Sequence, residues 1–534
     1  MNYWAQGLGI YVVYPGLTSD PEMVWRFLIG TIIVIKGSIW QAKVKKNILH
    51  EVCVDNNDKM TPMQTYDSYN SPFSWRYSSQ EMRELWSEVS KRRLWRKIWA
   101  ALAQVQSEFG LVQPEQVEDL RHHVDEIDIE QALRYEAEIH HDLMAELKTF
   151  AGQASIGGGV LHLGATSMDI EDNADALRIR AALDLLLSSL SRLLLAFASQ
   201  IERWSGSVVM AFTHLQPAEP TSLGYRLALY AQDLLADLEE LNSCRASIRG
   251  KGFKGAVGTR ASYADLLGEE NLEKFESRLS EILDLPFYPV ASQTYTRKQD
   301  YRVISALAGL GASIHKFALD LRFLQSPPIG EWSEPFGKKQ VGSSAMPFKR
   351  NPVTAEKIDS LARLLAGMPR VAWDNAAHSM LERTLDDSAN RRIILPESFM
   401  IADEIVTAAC RIVLDLQIYE EAQSANLHTY APFAASERVL MALAKAGADR
   451  QEMHERLRRH SMHAWEAVKK GASNPLRDYL AGDEAIRAYL SQEEIHKLMD
   501  VDTHIGDAPT RAILFAEKIR KIVAETDINI EEKL

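Results

Sequence analysis

Cysteine is scarce. Cys53, Cys244 and Cys410 are the only three in 534 residues, they lie far apart, and none forms a CxxC pair. A disulfide framework and a paired-thiol metal site are both excluded, and a reducing, cytoplasmic setting is expected. Basic residues are also in deficit, 60 Lys and Arg against 73 Asp and Glu, and the resulting net charge of -13 argues against a general nucleic-acid or membrane-surface binder. An anionic substrate would therefore need a locally basic site. The apolar stretch Phe27 to Ile35 is bracketed by Arg26 and Lys36. It reaches about half of the ~20 residues a membrane helix needs. Gly37, Ser38, Ile39 and Trp40 after it do not make a signal-peptide cleavage pattern. No membrane partner is expected. Residues 1–62 read as an N-terminal extension outside the catalytic fold, with the functional chain beginning near Met60 or Met63.

Two further absences concern cofactors. The run Gly157-Gly158-Gly159 has no preceding strand and no GK[ST] ending, so a phosphate-cradling P-loop is not supported. His122-His123 and His140-His141 are adjacent pairs. Neighbours on a helix point about 100° apart rather than toward one ion, so no metal and no cofactor are expected.

What is present is helical periodicity. Leu183, Leu186, Leu190, Leu194, Phe197 and Ile201 recur at steps of three and four, as do Leu227, Tyr230, Leu234, Leu238 and Leu241. Val303, Leu307, Leu310, Ile314, Phe317, Leu321 and Leu324 repeat the pattern; so do Ile358, Leu361, Leu365 and Met368, then Ile401, Ile405, Ile412 and Leu416. The spacing predicts an all-α chain with about five long helices packed side by side as a bundle, and no strand alternation. Boundaries fall near Gly164 and near Ile418 to Tyr430. They separate an N-terminal helical domain (63–165), a central bundle (166–418) and a C-terminal helical domain (419–534).

One loop between these helices is chemically unusual. Gly342-Ser343-Ser344-Ala345-Met346-Pro347-Phe348-Lys349-Arg350-Asn351-Pro352 belongs to a stretch, Phe336 to Pro352, with four basic residues and no acidic one. In an acidic chain this suits an anion, and the glycine and prolines permit turns that bring backbone N–H groups close to a carboxylate.

This loop resembles the signature of the fumarase/aspartase superfamily, and His162-Leu163-Gly164-Ala165-Thr166-Ser167 and Thr213-His214-Leu215-Gln216-Pro217 resemble its other motifs in the expected order. Within that superfamily, Glu382-Arg383-Thr384-Leu385-Asp386-Asp387-Ser388-Ala389-Asn390-Arg391-Arg392, the stretch Ser292 to Lys298, and Ser71 to Tyr77 are similar to the adenylosuccinate lyase family. The resemblance covers roughly Ser71 to the C-terminus. It implies a three-domain fold whose long helices form the core of a homotetramer with shared active sites, and fumarate-releasing elimination on small purine nucleotide substrates. A superfamily lyase or cycloisomerase acting on a non-nucleotide dicarboxylate is the alternative.

The resemblance also implies roles. Ser343 is the general base on a mobile loop, His214 the general acid, His141 a second histidine at the substrate, and Lys349 a stabiliser of the serine alkoxide. Imidazole suits proton transfer near neutral pH. Thr166, Ser167, Gln293 and Asn351 would hold the succinyl portion, Met346 would pack on substrate, and Asp142 would orient neighbouring groups. Arg76, Arg383 and Arg392, with Tyr77 and Ser388, would face the phosphate, for which the guanidinium fork is suited. This chain departs from the family pattern at His140 and Lys357, where an arginine is expected, so those two contacts stay outside the set.

Overall fold

The computed structural model describes residues 67–502 and 504–525, together with the backbone of a short antiparallel pairing between Ile33–Ile35 and Ser38–Trp40. That pairing apart, the expected extension over 1–62, the apolar stretch from Phe27, the start near Met60 or Met63, and Cys53 lie outside the described residues.

Five long helices, Ser167–Trp204, Leu223–Ser247, Lys298–Gln325, Val353–Ala377 and Ser388–Leu414, form a bundle. The stripe from Leu183 to Ile201 is wholly buried in it, as are Leu227, Leu238, Leu307, Leu310, Ile401 and Ile405. Each such side chain gains about 1.5–3 kcal/mol from leaving water, which is what overrides the weak preference of an isolated helix. The helix starts are fixed locally. Thr166 and Asp169 make a reciprocal capping box, and Ser222 accepts the Tyr225 amide. Pro352 cannot cap the Val353–Ala377 helix, so the buried Glu334 does it from a distance, accepting the amides of Thr354 at 3.0 Å and Ala355 at 2.9 Å.

The chain's last described helix, Ala508–Glu525, returns to the bundle. It packs on Ser167–Trp204 and Leu223–Ser247, and its Ala512, Ala516, Ile519 and Val523 join the main core. A second core unites Trp95, Ile98, Trp99 and Leu102 with Leu143 and Phe150, and recruits Phe253, Tyr263, Phe275 and Leu279 from far along the chain. A third joins Leu427, Val439, Leu457, Leu480 and Ile495 to Met210.

Met210 marks a departure from the helical reading. Val208–Thr213 and Gln216–Ser222 form an antiparallel hairpin, with Val209 and Met210 buried. Its second strand carries Pro217 and Pro220, which a two-stranded ribbon tolerates because each strand has a free edge. The Glu420–Lys445 helix packs against both strands.

Candidate active site

His140 and His141 are not on one helix, as the adjacent-pair reading supposed. His140 ends the Ile129–Ile139 helix in a left-handed conformation (φ 53°), and His141 is the N-cap of Asp142–Gln153. The break turns His141 toward the start of the longest bundle helix, where its Nε2 lies 3.3 Å from Ser167 Oγ. The loop before Ser167 is held from below. Trp99 Nε1 donates to His162 Nδ1 at 3.0 Å, and burial lowers the His162 pKa, so this ring works as a neutral acceptor. Gly164 has φ 76°, and a Cβ there would meet Leu266 at 2.9 Å.

Asp142, beside His141, receives Arg392 Nη2 at 2.7 Å. Burial pushes its carboxyl pKa up, but the charge of Arg392 and the Leu143 amide outweigh this, leaving a carboxylate held below its ordinary range. Arg392 stays about half exposed despite the pair and can still reach a ligand. Arg383 and Ser388 line the same cleft, about 100 Å³ in volume, together with Asp142, Glu171 and Lys91. Arg383 is aimed by Asp387, which it meets at 2.9 Å. Asp387 in turn accepts from buried Arg297 at 2.5 Å, and Arg297 bonds Asp172 at 2.9 Å. Burial works to raise the Asp387 pKa, but Arg297, Arg391 and Arg383 bring it below the usual carboxylate range. Gln293 belongs to this corner as well, its amide donating to the Glu382 carbonyl at 3.1 Å.

Ser343, Met346, Lys349 and Asn351 sit elsewhere. Ser343 Oγ accepts the amides of Met346 (3.1 Å) and Ala345 (3.4 Å), an arrangement that would also stabilise an alkoxide. Asn351 Nδ2 closes the loop on the Gly342 carbonyl at 3.0 Å, while Met346 and Lys349 face outward. His214 is at the hairpin turn, exposed, with φ 53°. Arg226 ties hairpin to loop region, donating to the Met210 carbonyl and to Glu331 at 3.2 Å.

The two groups lie at opposite ends of the bundle. Arg297, at the start of Lys298–Gln325, touches Asp172 near the start of Ser167–Trp204; Gln325, at the other end, holds the Arg350 carbonyl. At 1.5 Å per residue that helix alone separates them by roughly 40 Å. Arg76 and Tyr77 belong to the segment that packs on the Ser388–Leu414 helix, where Ser71 Oγ donates to Glu397 at 3.0 Å. Their segment is fixed by Ser78, whose amide and hydroxyl bond Glu404 and Asp403. Glu404 also pairs with Lys357 at 2.5 Å. Arg76 stacks near the rings of Trp75 and Tyr77.

Several positioning residues escaped the sequence reading. Asp169 receives Lys251 Nζ, the amides of Lys254 and Gly255, and the Tyr263 hydroxyl, fixing the Thr166–Ser167 turn to the 251–255 segment. The signal was present in Thr166-x-x-Asp169, a capping-box pattern. Glu171, Asp172 and Asp175, acids clustered in the first turns of a helix whose middle is apolar, were a further signal.

The fold is that of the fumarase/aspartase-type lyases. The family described as "Lyase" matches residues 64–367. The structure resembles a fumarate lyase from Mesorhizobium sp. BNC1 (TM-score 0.73, 23% identity, 84% of this chain and 99% of that one). It also resembles the 3-carboxy-cis,cis-muconate lactonizing enzyme from Pseudomonas putida (TM-score 0.75, 24% identity, 84% and 100%). A second family, "Adenylosuccinate lyase C-terminus", matches residues 432–512. The adenylosuccinate lyase of Saccharomyces cerevisiae is 38% identical over 464 residues, 85% of this chain and 95% of that protein. That of Schistosoma mansoni is 40% identical over 430 residues, 79% and 89%. The chain belongs to the adenylosuccinate lyase family.

Proposed function

We propose that this chain eliminates fumarate from adenylosuccinate, giving AMP, and from the succinylated aminoimidazole carboxamide ribotide. The observation that carries the nucleotide assignment is the cleft in which Arg383, Ser388 and Arg392 meet. Two guanidinium forks and a hydroxyl suit a phosphate, which a simple dicarboxylate lacks. Ser343 acts as base at the carbon beside the succinyl carboxylate, its alkoxide stabilised by the Ala345 and Met346 amides and by Lys349. His214 protonates the departing purine nitrogen. His141 and Ser167, 3.3 Å apart, hold the substrate with Thr166, Gln293 and Asn351.

No single chain brings these groups together, because the acid and base lie a bundle's length from His141 and Arg392. Copies packed with their bundles antiparallel would bring one chain's Ser343 loop to another's His141, which supports a homotetramer with shared sites. The exposed apolar side chains Leu229, Leu319, Phe323 and Leu364 on the bundle helices favour the same assembly. So does the Lys298–Gln325 helix, whose most apolar stretch is only 44% buried within the chain. A cytoplasmic location is part of this proposal.

The test is ultraviolet detection of adenylosuccinate conversion, with Ser343→Ala and His214→Ala as controls. A loss of about 10²–10⁴ in kcat is expected for His214→Ala, and a collapse for Ser343→Ala. Absence of turnover by folded, oligomeric protein would overturn the nucleotide assignment in favour of a non-nucleotide dicarboxylate.

A further inference from the structure

Ser167, Glu171 and Asp175 are spaced four apart on the Ser167–Trp204 helix and therefore share one face, from which Glu171 and Asp175 line the cleft. Ser167 meets His141, and Asp175 pairs with Arg391 at 3.2 Å. Glu171 between them has no hydrogen bond and no ion pair within 4.0 Å among the described residues. It lines the cleft together with Arg383, Ser388 and Arg392. An acid left without a partner beside two arginines, where the protein elsewhere pairs every neighbouring acid, is placed for a ligand.

We infer that Glu171 is a substrate-contacting residue that enters the cleft as a neutral carboxylic acid and donates a hydrogen bond to the substrate phosphate. The inference rests on the nucleotide reading of this cleft. A charged carboxylate would repel the phosphate that Arg383 and Arg392 attract, so the surroundings must keep the proton in place. They do. Asp172, Asp175 and Arg178 lie on its own helix, Asp142 comes from the adjoining segment, and Glu88 and Lys91 from the Glu88–Glu108 helix. Arg383, Arg391 and Arg392 face it from the remaining side. Burial, then the negative charges of Asp142, Asp175 and Asp172, push the Glu171 pKa up to about 8 against the opposing pull of Arg392. A carboxylic acid kept neutral near pH 7 is a donor that arginine cannot replace, since it adds a hydrogen bond without adding charge.

The proposal predicts a pH dependence of binding that resides in one residue. With the titration near pH 8, the neutral fraction of Glu171 falls about tenfold between pH 7 and pH 9, and KM for adenylosuccinate should rise by a similar factor. Glu171→Gln keeps the shape and a donor but cannot ionise. Its KM should lack this rise, so that at pH 9 the variant binds several-fold more tightly than the wild type, whereas kcat profiles of the two stay parallel. Other titrating groups, the phosphate included, are common to both proteins and cancel in the comparison. Glu171→Ala, which removes both donor and charge, should lack the extra rise seen in the wild type but be weaker than Gln throughout, and it decides the matter if the Gln variant does not fold.

Calorimetric binding of inorganic phosphate to the intact protein over the same pH range supplies a readout independent of turnover. The wild type should lose affinity relative to Glu171→Gln as pH rises, by about tenfold between pH 7 and pH 9. Parallel KM and phosphate profiles in wild type and variant would overturn the inference while leaving the lyase assignment standing. No turnover at any pH, with the phosphate difference intact, would do the reverse.

Discussion

Arg297 joins three parts of the candidate site, so its removal makes a quantitative test of how the cleft is built. Its guanidinium is buried and bridges Asp172 of the longest helix, at 2.9 Å, to Asp387 of the segment carrying Arg383 and Ser388, at 2.5 Å. Arg297→Met keeps the length and loses the charge, leaving Asp172 with the Tyr295 amide and a 4.0 Å contact to Arg391, and Asp387 with Arg383 as its direct ion pair. Breaking a buried pair in this way costs about 3–5 kcal/mol. Asp387 would retain only Arg383, so the effect on catalysis should fall on KM more than on kcat. The assay is urea unfolding at fixed protein concentration, since self-association shifts the midpoint, paired with steady-state kinetics. If stranded charge is the cause, Asp172→Asn added to Arg297→Met should recover a good part of the loss, a coupling of at least about 1 kcal/mol for groups in contact. A cost below about 1 kcal/mol for Arg297→Met, or strict additivity of the two substitutions, would refute the reasoning. So would loss of kcat at unchanged KM.

Gly342→Ala would place a Cβ 2.3 Å from the Lys349 carbonyl, so the variant should fold normally and lose at least tenfold in kcat, read by melting temperature and turnover. Glu334→Ala uncaps the Val353–Ala377 helix, at about 1–2 kcal/mol in urea unfolding, and slackens the anchored end of the Ser343 loop, lowering kcat. Glu171 has a folded pKa raised from 4.5 to about 8; the stability this represents is fully present below about pH 4.5 and is lost as pH rises through 8. Chemical unfolding from pH 5 to 9 should therefore show wild type losing stability relative to Glu171→Gln. Mixing inactive His141→Gln and Ser343→Ala proteins under subunit exchange should restore activity to about a quarter of the sites, the random fraction in which both contributing chains are intact at their own residue. No recovery would argue that each chain builds its own site.

The helices were legible because their apolar side chains recur at steps of three and four, and Leu183 to Ile201 are buried where that period puts them. The hairpin carrying His214 was not. Only Val209 and Met210 of its first strand are buried, too short a run for alternation to register, and its pairing partner is a proline-containing segment whose register depends on packing against Glu420–Lys445. Motif resemblance singles out Ser343, His214, His141 and Arg392 as candidates. Their separation within one chain was not legible, because it follows from which helix ends coincide in space. Arg297 and Asp169 were passed over for a related reason. A charged residue acquires a positioning role only through partners such as Asp387 or Lys251, which are remote in sequence.

The return of Ala508–Glu525 to the bundle bears on how the chain is made. The apolar face of Ser167–Trp204 that receives Ala512, Ala516 and Ile519 is synthesised about 320 residues before the helix that covers it. At roughly 5–20 residues per second, that face waits on the order of tens of seconds on the ribosome with part of its surface open. A ribosome stalled between residues 414 and 507 leaves a product whose longest described helix is covered by Leu223–Ser247 and Ser388–Leu414 but open along the face that Ala508–Glu525 closes.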